Sequence, residues 1–180
     1  MSQSEPTSID LAYLAGIIDA DGYISIQRSK HRSRGTEKLY YAPRIGIAGT
    51  NRKPHDFAAR FWGGKVTVST PKALKNKVQF QWSRVGWVAI QMIEALTPFL
   101  KVKQEQALLA WELWDHLEAG RGVDPFPWFG PYYDPIPDRD EMWARMVVLN
   151  DSRNHLRTRN AQQFLEALAH RPFPWEAERN

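Results

Sequence analysis

Leu11-Ala12-Tyr13-Leu14-Ala15-Gly16-Ile17-Ile18-Asp19-Ala20-Asp21-Gly22 is the stretch from which the rest of this chain can be read. Ala12, Ala15, Gly16, Asp19 and Ala20 recur at helical three- and four-residue spacing, so one face of a helix here carries little side chain. Another backbone can approach such a face closely. Asp19 and Asp21 fall at the helix C-terminus, where the dipole disfavours negative charge, and Gly22 is expected to end the helix in a left-handed conformation. A carboxylate there calls for a compensating cation. Asp-x-Asp-Gly is also an ordinary turn sequence, so spacing alone leaves metal site and turn both open.

Upstream, Thr7 or Ser8 can cap the helix with Asp10 in its first turn, and Leu11, Leu14, Ile17 and Ile18 supply the apolar stripe. Downstream, residues 23–29 alternate, with Ile24 and Ile26 on one side and Tyr23, Ser25, Gln27 and Ser29 on the other. Residues 39–48 repeat this, setting Leu39, Tyr41, Ile45 and Ile47 against Tyr40, Ala42, Arg44 and Gly46, which predicts a hairpin. Lys30, His31, Arg32, Arg34 and Lys38 then fall in its long connection. A short helix over 53–62 is followed by the breaker Gly63-Gly64. Strands over 65–69 and 77–83 flank a loop containing Lys72, Lys75 and Lys77, with Val66, Val68, Phe80 and Trp82 facing inward. Helical spacing resumes at Val88, Met92, Ile93 and Leu96, and again from Gln104 to Leu117, with Pro98 at the break.

The order αββαββα implies an α+β domain: helices cover one face of a four-stranded antiparallel sheet, and the other face, carrying polar side chains, stays open. Its core spans about 7–118. Residues 120–139, rich in Pro, Gly and aromatics, read as a loop packed on the body, and helices resume over about 140–170.

With 180 residues, 43% of them apolar, the chain can bury a core as a single domain. It has no cysteine, which excludes disulfides and thiolate metal sites and leaves oxygen to hold a metal. No apolar segment reaches membrane-spanning length, and the N-terminus has neither a signal-peptide nor a transit-peptide pattern, so a soluble intracellular protein without a membrane partner is expected. Bacterial cytoplasm and organelle both remain open. Net charge is only +4, but the cations cluster in the 30–38 and 72–77 segments and at Arg153, Arg157 and Arg159, a pattern suited to phosphate.

Leu14-Ala15-Gly16-Ile17-Ile18-Asp19-Ala20-Asp21-Gly22, followed by a strand, resembles the signature of the LAGLIDADG homing endonucleases. Pro98-Phe99-Leu100-Lys101-Val102-Lys103-Gln104-Glu105-Gln106-Ala107 is similar to a second segment of the small single-motif, homodimeric, intron-encoded members, and Leu149-Asn150-Asp151-Ser152-Arg153 to their C-terminal phosphate-contacting region. The resemblance implies that Ala12, Tyr13, Ala15, Gly16, Asp19 and Ala20 pack against a second copy of the chain. It further implies that the two Asp21 side chains, with Ala20 beside them, share Mg²⁺, for which Mn²⁺ or Ca²⁺ can substitute in binding. Oxygen-only ligation suits this ion. By the same resemblance Lys103 is the active-site lysine, the strand-end glutamine is replaced by Gly49, and the following arginine by Lys53, with Arg52 adjacent. Asp19 reads as structural rather than as a ligand.

A β-ribbon can enter the major groove of double-stranded DNA and read base edges. The candidate readers are Ser25, Gln27, Ser29, Tyr40, Arg44, Thr67, Ser69, Gln79 and Gln81, with Ser83 weaker; Lys30, Arg32, Arg34, Lys72, Lys75, Arg153 and Arg157 are the candidate phosphate contacts. The expected activity is Mg-dependent hydrolysis of both strands of a long, pseudo-palindromic site, leaving short 3′ overhangs. The alternative is an RNA-binding maturase acting on a host intron, or a DNA-binding descendant that no longer cleaves.

Overall fold

The computed structural model describes residues 5–33, 36–69, 77–119, 139–151, 162–163 and 165–166. Helix α1 (Ser8–Ala20) opens with a capping box in which Asp10 N–H donates to Thr7 Oγ1 and Thr7 N–H donates to Asp10. Asp21 closes it, donating its N–H to the Ile17 carbonyl. Gly22 is not left-handed, contrary to the expectation; the described glycines with positive φ are Gly63, Gly64 and Gly86. Its role is steric. A Cβ at Gly22 would stand 2.7 Å from Ile18 Cα and 3.0 Å from the Gly46 carbonyl oxygen, so only glycine lets the first strand turn off α1 this closely.

Strands β1 (Gly22–Ser33) and β2 (Thr36–Gly49) form one antiparallel ribbon, followed by α2 (Lys53–Trp62), β3 (Thr67–Ser69) and β4 (Gln79–Val85). The spatial order is β1-β2-β4-β3, antiparallel throughout. The expected basic connection over 30–38 is largely strand: Lys30 pairs with Leu39, and Arg32 with Glu37. Polar alternation extends the ribbon past its apolar half, and without an apolar face that extension carries no periodic signal. The third and fourth strands are likewise displaced from 65–69 and 77–83. Val68 lies in register with Phe80 but is 53% exposed, because β3 is a three-residue edge strand at the rim of the core.

Helices α3 (Trp87–Leu96), α4 (Gln104–Ala119) and α5 (Arg139–Leu149) complete the helical layer, with a 3₁₀ turn at Thr97–Phe99 where Pro98 interrupts the pattern. The core lies between this layer and one face of the sheet. Ile24, Ile26, Ile45, Ile47 and Trp82 from the strands meet Leu14, Ile18, Ile90, Met92, Ile93, Leu96, Leu113 and Met142 from the helices, all essentially inaccessible to water. Trp82 is held by its indole N–H, which donates to the Gly63 carbonyl at 2.9 Å. The described residues thus form the expected α+β arrangement. The 120–138 part of the expected loop and most of the second C-terminal helix lie outside them.

Candidate nucleic-acid interface and cleavage site

Paired residues in a sheet share a face, so the register assigns every side chain on the ribbon. Tyr23, Ser25, Gln27, Ser29 and His31 of β1 stand beside Gly46, Arg44, Ala42, Tyr40 and Lys38 of β2. Gly46 and Ala48 in turn stand beside Ser83 and Gln81 of β4, and Gln81 and Gln79 beside Thr67 and Ser69 of β3. All nine candidate readers, Ser25, Gln27, Ser29, Tyr40, Arg44, Thr67, Ser69, Gln79 and Gln81, therefore lie on the face opposite Ile24, Ile45 and Trp82. That face has no helix over it among the described residues, and Tyr40, Thr67, Ser69, Gln79 and Gln81 are exposed.

Lys30 and Arg32 fall in the other phase, in line with Ile24 and Ile26, though both are exposed. Arg34, Lys72, Lys75, Arg153 and Arg157 lie outside the described residues. Arg28 shares the phase of Lys30. Its Nη2 is 3.0 Å from Asp140 Oδ1 and its Nε donates to Tyr41 Oη at 3.2 Å; Tyr41 Oη donates to Asp140 at 2.5 Å; and the guanidinium lies over the Trp143 ring. This knot ties α5 to the ribbon. Burial, followed by the hydrogen bond to the Asp140 carboxylate, raises the Tyr41 hydroxyl pKa to about 12. A charged residue on an apolar strand phase was the sequence signal for Arg28.

At the end of the sheet where β1 begins, α1 delivers two carboxylates with different fates. Asp19 accepts from three successive backbone N–H groups, those of Lys101 (2.7 Å), Val102 (3.2 Å) and Lys103 (3.0 Å), just before α4. These bonds cap the start of α4. Asp21 is exposed and its carboxylate makes no hydrogen bond among the described residues. Lys103, half-buried, donates from Nζ to the Asp19 carbonyl. Burial lowers its pKa, and the charges of Asp19 and Asp21 act in the opposite direction.

Ala20, Gly22, Tyr23, Ser25, Lys103 and Asn150 line a cleft of about 700 Å³ at this junction. Asn150 Nδ2 donates to the Ile24 carbonyl at 2.8 Å and so anchors the end of α5 on the edge of β1. Lys53 begins α2, exposed, with its N–H on Asn51 Oδ1. Gly49 ends β2 near the same end of the sheet, since Gly22 pairs with Ile47. A Cβ on Gly49 would meet only His55 Cε1, at 3.9 Å, so the site has room for a side chain.

Along α1, Ala12, Tyr13, Gly16 and Ala20 are exposed, and Ile9 is 81% exposed. Ala15 does not belong to this surface: it is fully buried in its own core, and Asp19 is turned to the 101–103 segment. The 3.6-residue period puts both on the flank facing α3 and the 3₁₀ turn, which spacing without a neighbour cannot reveal.

The order of helices and strands around this four-stranded antiparallel sheet is an arrangement shared with solved proteins. The fold is that of the LAGLIDADG homing endonucleases. I-CvuI, solved in complex with its target in the presence of 2 mM Ca, is 20% identical over 91% of this chain and 97% of its own, with a TM-score of 0.58. The archaeal intron-encoded I-Vdi141I, complexed with DNA, is 14% identical over 89% of this chain and 97% of its own, at 0.55. The group I intron-encoded I-CeuI, also complexed with DNA, is 14% identical over 91% and 79%, at 0.52. No protein-family model and no curated protein sequence matches the chain. Among the described residues there is one four-stranded sheet, entered from α1.

Oxygen donors at the α1 terminus suit a hard divalent cation. Asp21 is the free carboxylate there, and no group of three or more His, Asp or Glu side chains able to hold a metal occurs among the described residues. No helix among the described residues is long and apolar enough to cross a membrane.

Proposed function

We propose that this chain is a site-specific, metal-dependent endonuclease that hydrolyses both strands of a long, pseudo-palindromic double-stranded DNA site as a homodimer, leaving short 3′ overhangs. One observation carries the reading: all nine side chains suited to base edges share the open face, Asp21 immediately precedes β1 of that face, and Lys103 lines the cleft with Tyr23 and Ser25. The likeness to DNA-bound homing endonucleases supports it.

Two copies join through Ala12, Tyr13, Gly16 and Ala20 of α1, which sets the two saddles side by side along one duplex and the two Asp21 carboxylates together. A symmetric cut through one symmetric site needs such a two-fold pair. Asp21, with the main-chain oxygen of Ala20, would hold Mg²⁺, which when bound polarises the scissile phosphate and lowers the pKa of an attacking water. The I-CvuI complexes, with 2 mM Ca and with 2 mM Mg, the latter with its DNA not cleaved, support a divalent ion beside the duplex rather than the cleavage step. Lys103 keeps an ammonium beside the scissile phosphate, where it favours the negative charge that develops as the P–O3′ bond breaks. Lys53 supplies a second cation at the same end. Lys30, Arg32 and the cations at 34, 72, 75, 153 and 157 contribute salt-dependent phosphate attraction.

With Mg²⁺ and a plasmid library of candidate insertion sites, the purified chain is expected to make site-limited double-strand breaks, and Asp21→Asn to bind without cutting. Equal cutting by Asp21→Asn would remove Asp21 from the chemistry. A second reading, a maturase acting on host intron RNA or a DNA binder that no longer cleaves, is favoured by one observation, the bare Gly49 with open space where a side chain would stand. Stimulated splicing of the host intron without any DNA cleavage would select it.

A further inference from the structure

Arg44 is held on the open face by uncharged neighbours. Its Nη2 donates to Ser83 Oγ at 3.2 Å, its guanidinium carbon lies 5.4 Å from the centre of the Tyr23 ring, and its Nε is buried without a hydrogen-bond partner. No carboxylate pairs with it among the described residues.

The seat for this arrangement is built across three strands. Tyr23 pairs with Gly46, and Gly46 with Ser83, so the three form one row; Arg44 belongs to the next row, with Ser25 and Val85, and leans back over the first. The Tyr23 side chain can lie across β2 only because residue 46 has none. A Cβ there would stand 2.6 Å from Tyr23 Oη, 2.6 Å from the Trp82 carbonyl oxygen and 2.8 Å from Ser83 Cβ.

Arginine normally loses much rotameric freedom when it engages a partner, and a ring below it with a hydroxyl beside it removes that loss in advance. Of its five donors, one goes to Ser83 and the buried Nε reaches none, which leaves the Nη1 and Nη2 end as a fixed fork. A half-buried cation with no anion and one unsatisfied N–H is a poor stabiliser of the fold, but it is well prepared for an acceptor that arrives from the open side. In the major groove the group that offers two acceptors to such a fork is guanine, through N7 and O6.

We infer that Arg44 is a preorganised guanine reader, that Tyr23 and Ser83 are its positioning residues, and that the DNA target therefore carries a required guanine at one fixed place in each half-site. This rests on the proposed DNA-directed function. Residue 25, in Arg44's row, is four residues from Asp21, about 13 Å along an extended strand, so the guanine belongs to the inner part of the half-site.

The test selects binding sites from a randomised duplex library with the full chain in Ca²⁺, comparing wild type with Arg44→Gln, Tyr23→Phe, Tyr23→Leu and Ser83→Ala, each checked for folding by circular dichroism. Wild type is expected to prefer guanine at one symmetric position by about 5- to 150-fold. Arg44→Gln should flatten that preference and leave the other positions unchanged. Tyr23→Leu and Ser83→Ala should weaken it partway, leaving the preferences at the other positions unchanged, and Tyr23→Phe, which keeps the ring, should preserve it. Arg44→Gln selecting the same bases as wild type would overturn the reader. If Arg44→Gln or Tyr23→Leu fails to fold, Ser83→Ala decides alone, and unaltered guanine preference in it overturns the positioning role. A wild-type chain that enriches no sequence would instead refute the DNA-directed function itself, and the inference with it.

Discussion

Lys103 donates to Asp19 twice: its N–H to Asp19 Oδ1 at 3.0 Å, and its Nζ to the Asp19 carbonyl. One end of α1 is thereby fixed to the start of α4. The amine at issue in the proposed chemistry rests on the Asp19 main-chain carbonyl, while the Asp19 carboxylate holds the backbone of residues 101–103. Asp19→Ala should therefore lower stability by about 2 kcal/mol, the scale of losing a charged acceptor from a capped helix start. Urea denaturation would measure it, and an unchanged midpoint would count against the capping role.

Lys103 offers a spectroscopic check. Burial pulls its pKa below the usual 10.5, so the folded chain releases this proton at lower pH than the unfolded chain, and stability should rise with pH through the interval just under 10.5. Asp21 pulls the other way. In Asp21→Asn the Lys103 amine should titrate still lower, as followed by NMR of ¹³C-labelled lysine; a move upward would mean that the two groups do not sense each other.

Tyr41 has the opposite sign. Its hydroxyl stays protonated to about 12 in the fold against 10.0 for the free group, so its contribution is complete below 10 and is lost as pH climbs through 12. Absorbance titration should find one of the six tyrosines ionising late. In Tyr41→Phe that late transition should vanish, with about 1 kcal/mol of stability lost.

Two glycines should respond in opposite ways. Gly22→Ala forces a methyl to within 2.7 Å of Ile18 and should cost about 1–3 kcal/mol by overpacking. At Gly49 an added Cβ meets nothing nearer than 3.9 Å, so Gly49→Gln should fold normally and, under the nuclease reading, cut faster than wild type. A thermal midpoint that falls in Gly49→Gln as it does in Gly22→Ala would show that the space beside His55 is not available.

Much of this was legible in the sequence because each element carried its own period. The alternation of Ile24 and Ile26 with Ser25 and Gln27 assigns both faces of β1, and the nine candidate readers follow from the same rule applied to four strands. The capping role of Thr7 and the break at Pro98 are equally local. What escaped depended on contacts distant in sequence. The Asp19 cap on residues 101–103, the Arg28–Tyr41–Asp140 knot and the burial of Ala15 each join segments that no local pattern relates. Gly22 illustrates the limit in a single residue: the need for glycine was readable, but the reason lay in the proximity of Ile18 and Gly46 rather than in φ.

Among the described residues the outer side of β1 borders no other strand, and Asn150 covers it at Ile24. Bare main-chain donors and acceptors along such a rim invite a foreign strand to zip on and seed fibrils, a hazard that proteins commonly blunt with long cationic side chains. Lys30 and Arg32 project from the distal part of this rim. Whatever they contribute to phosphate attraction, they also act as gatekeepers of solubility, so trimming them to reduce nonspecific DNA affinity would risk a protein that sticks to itself.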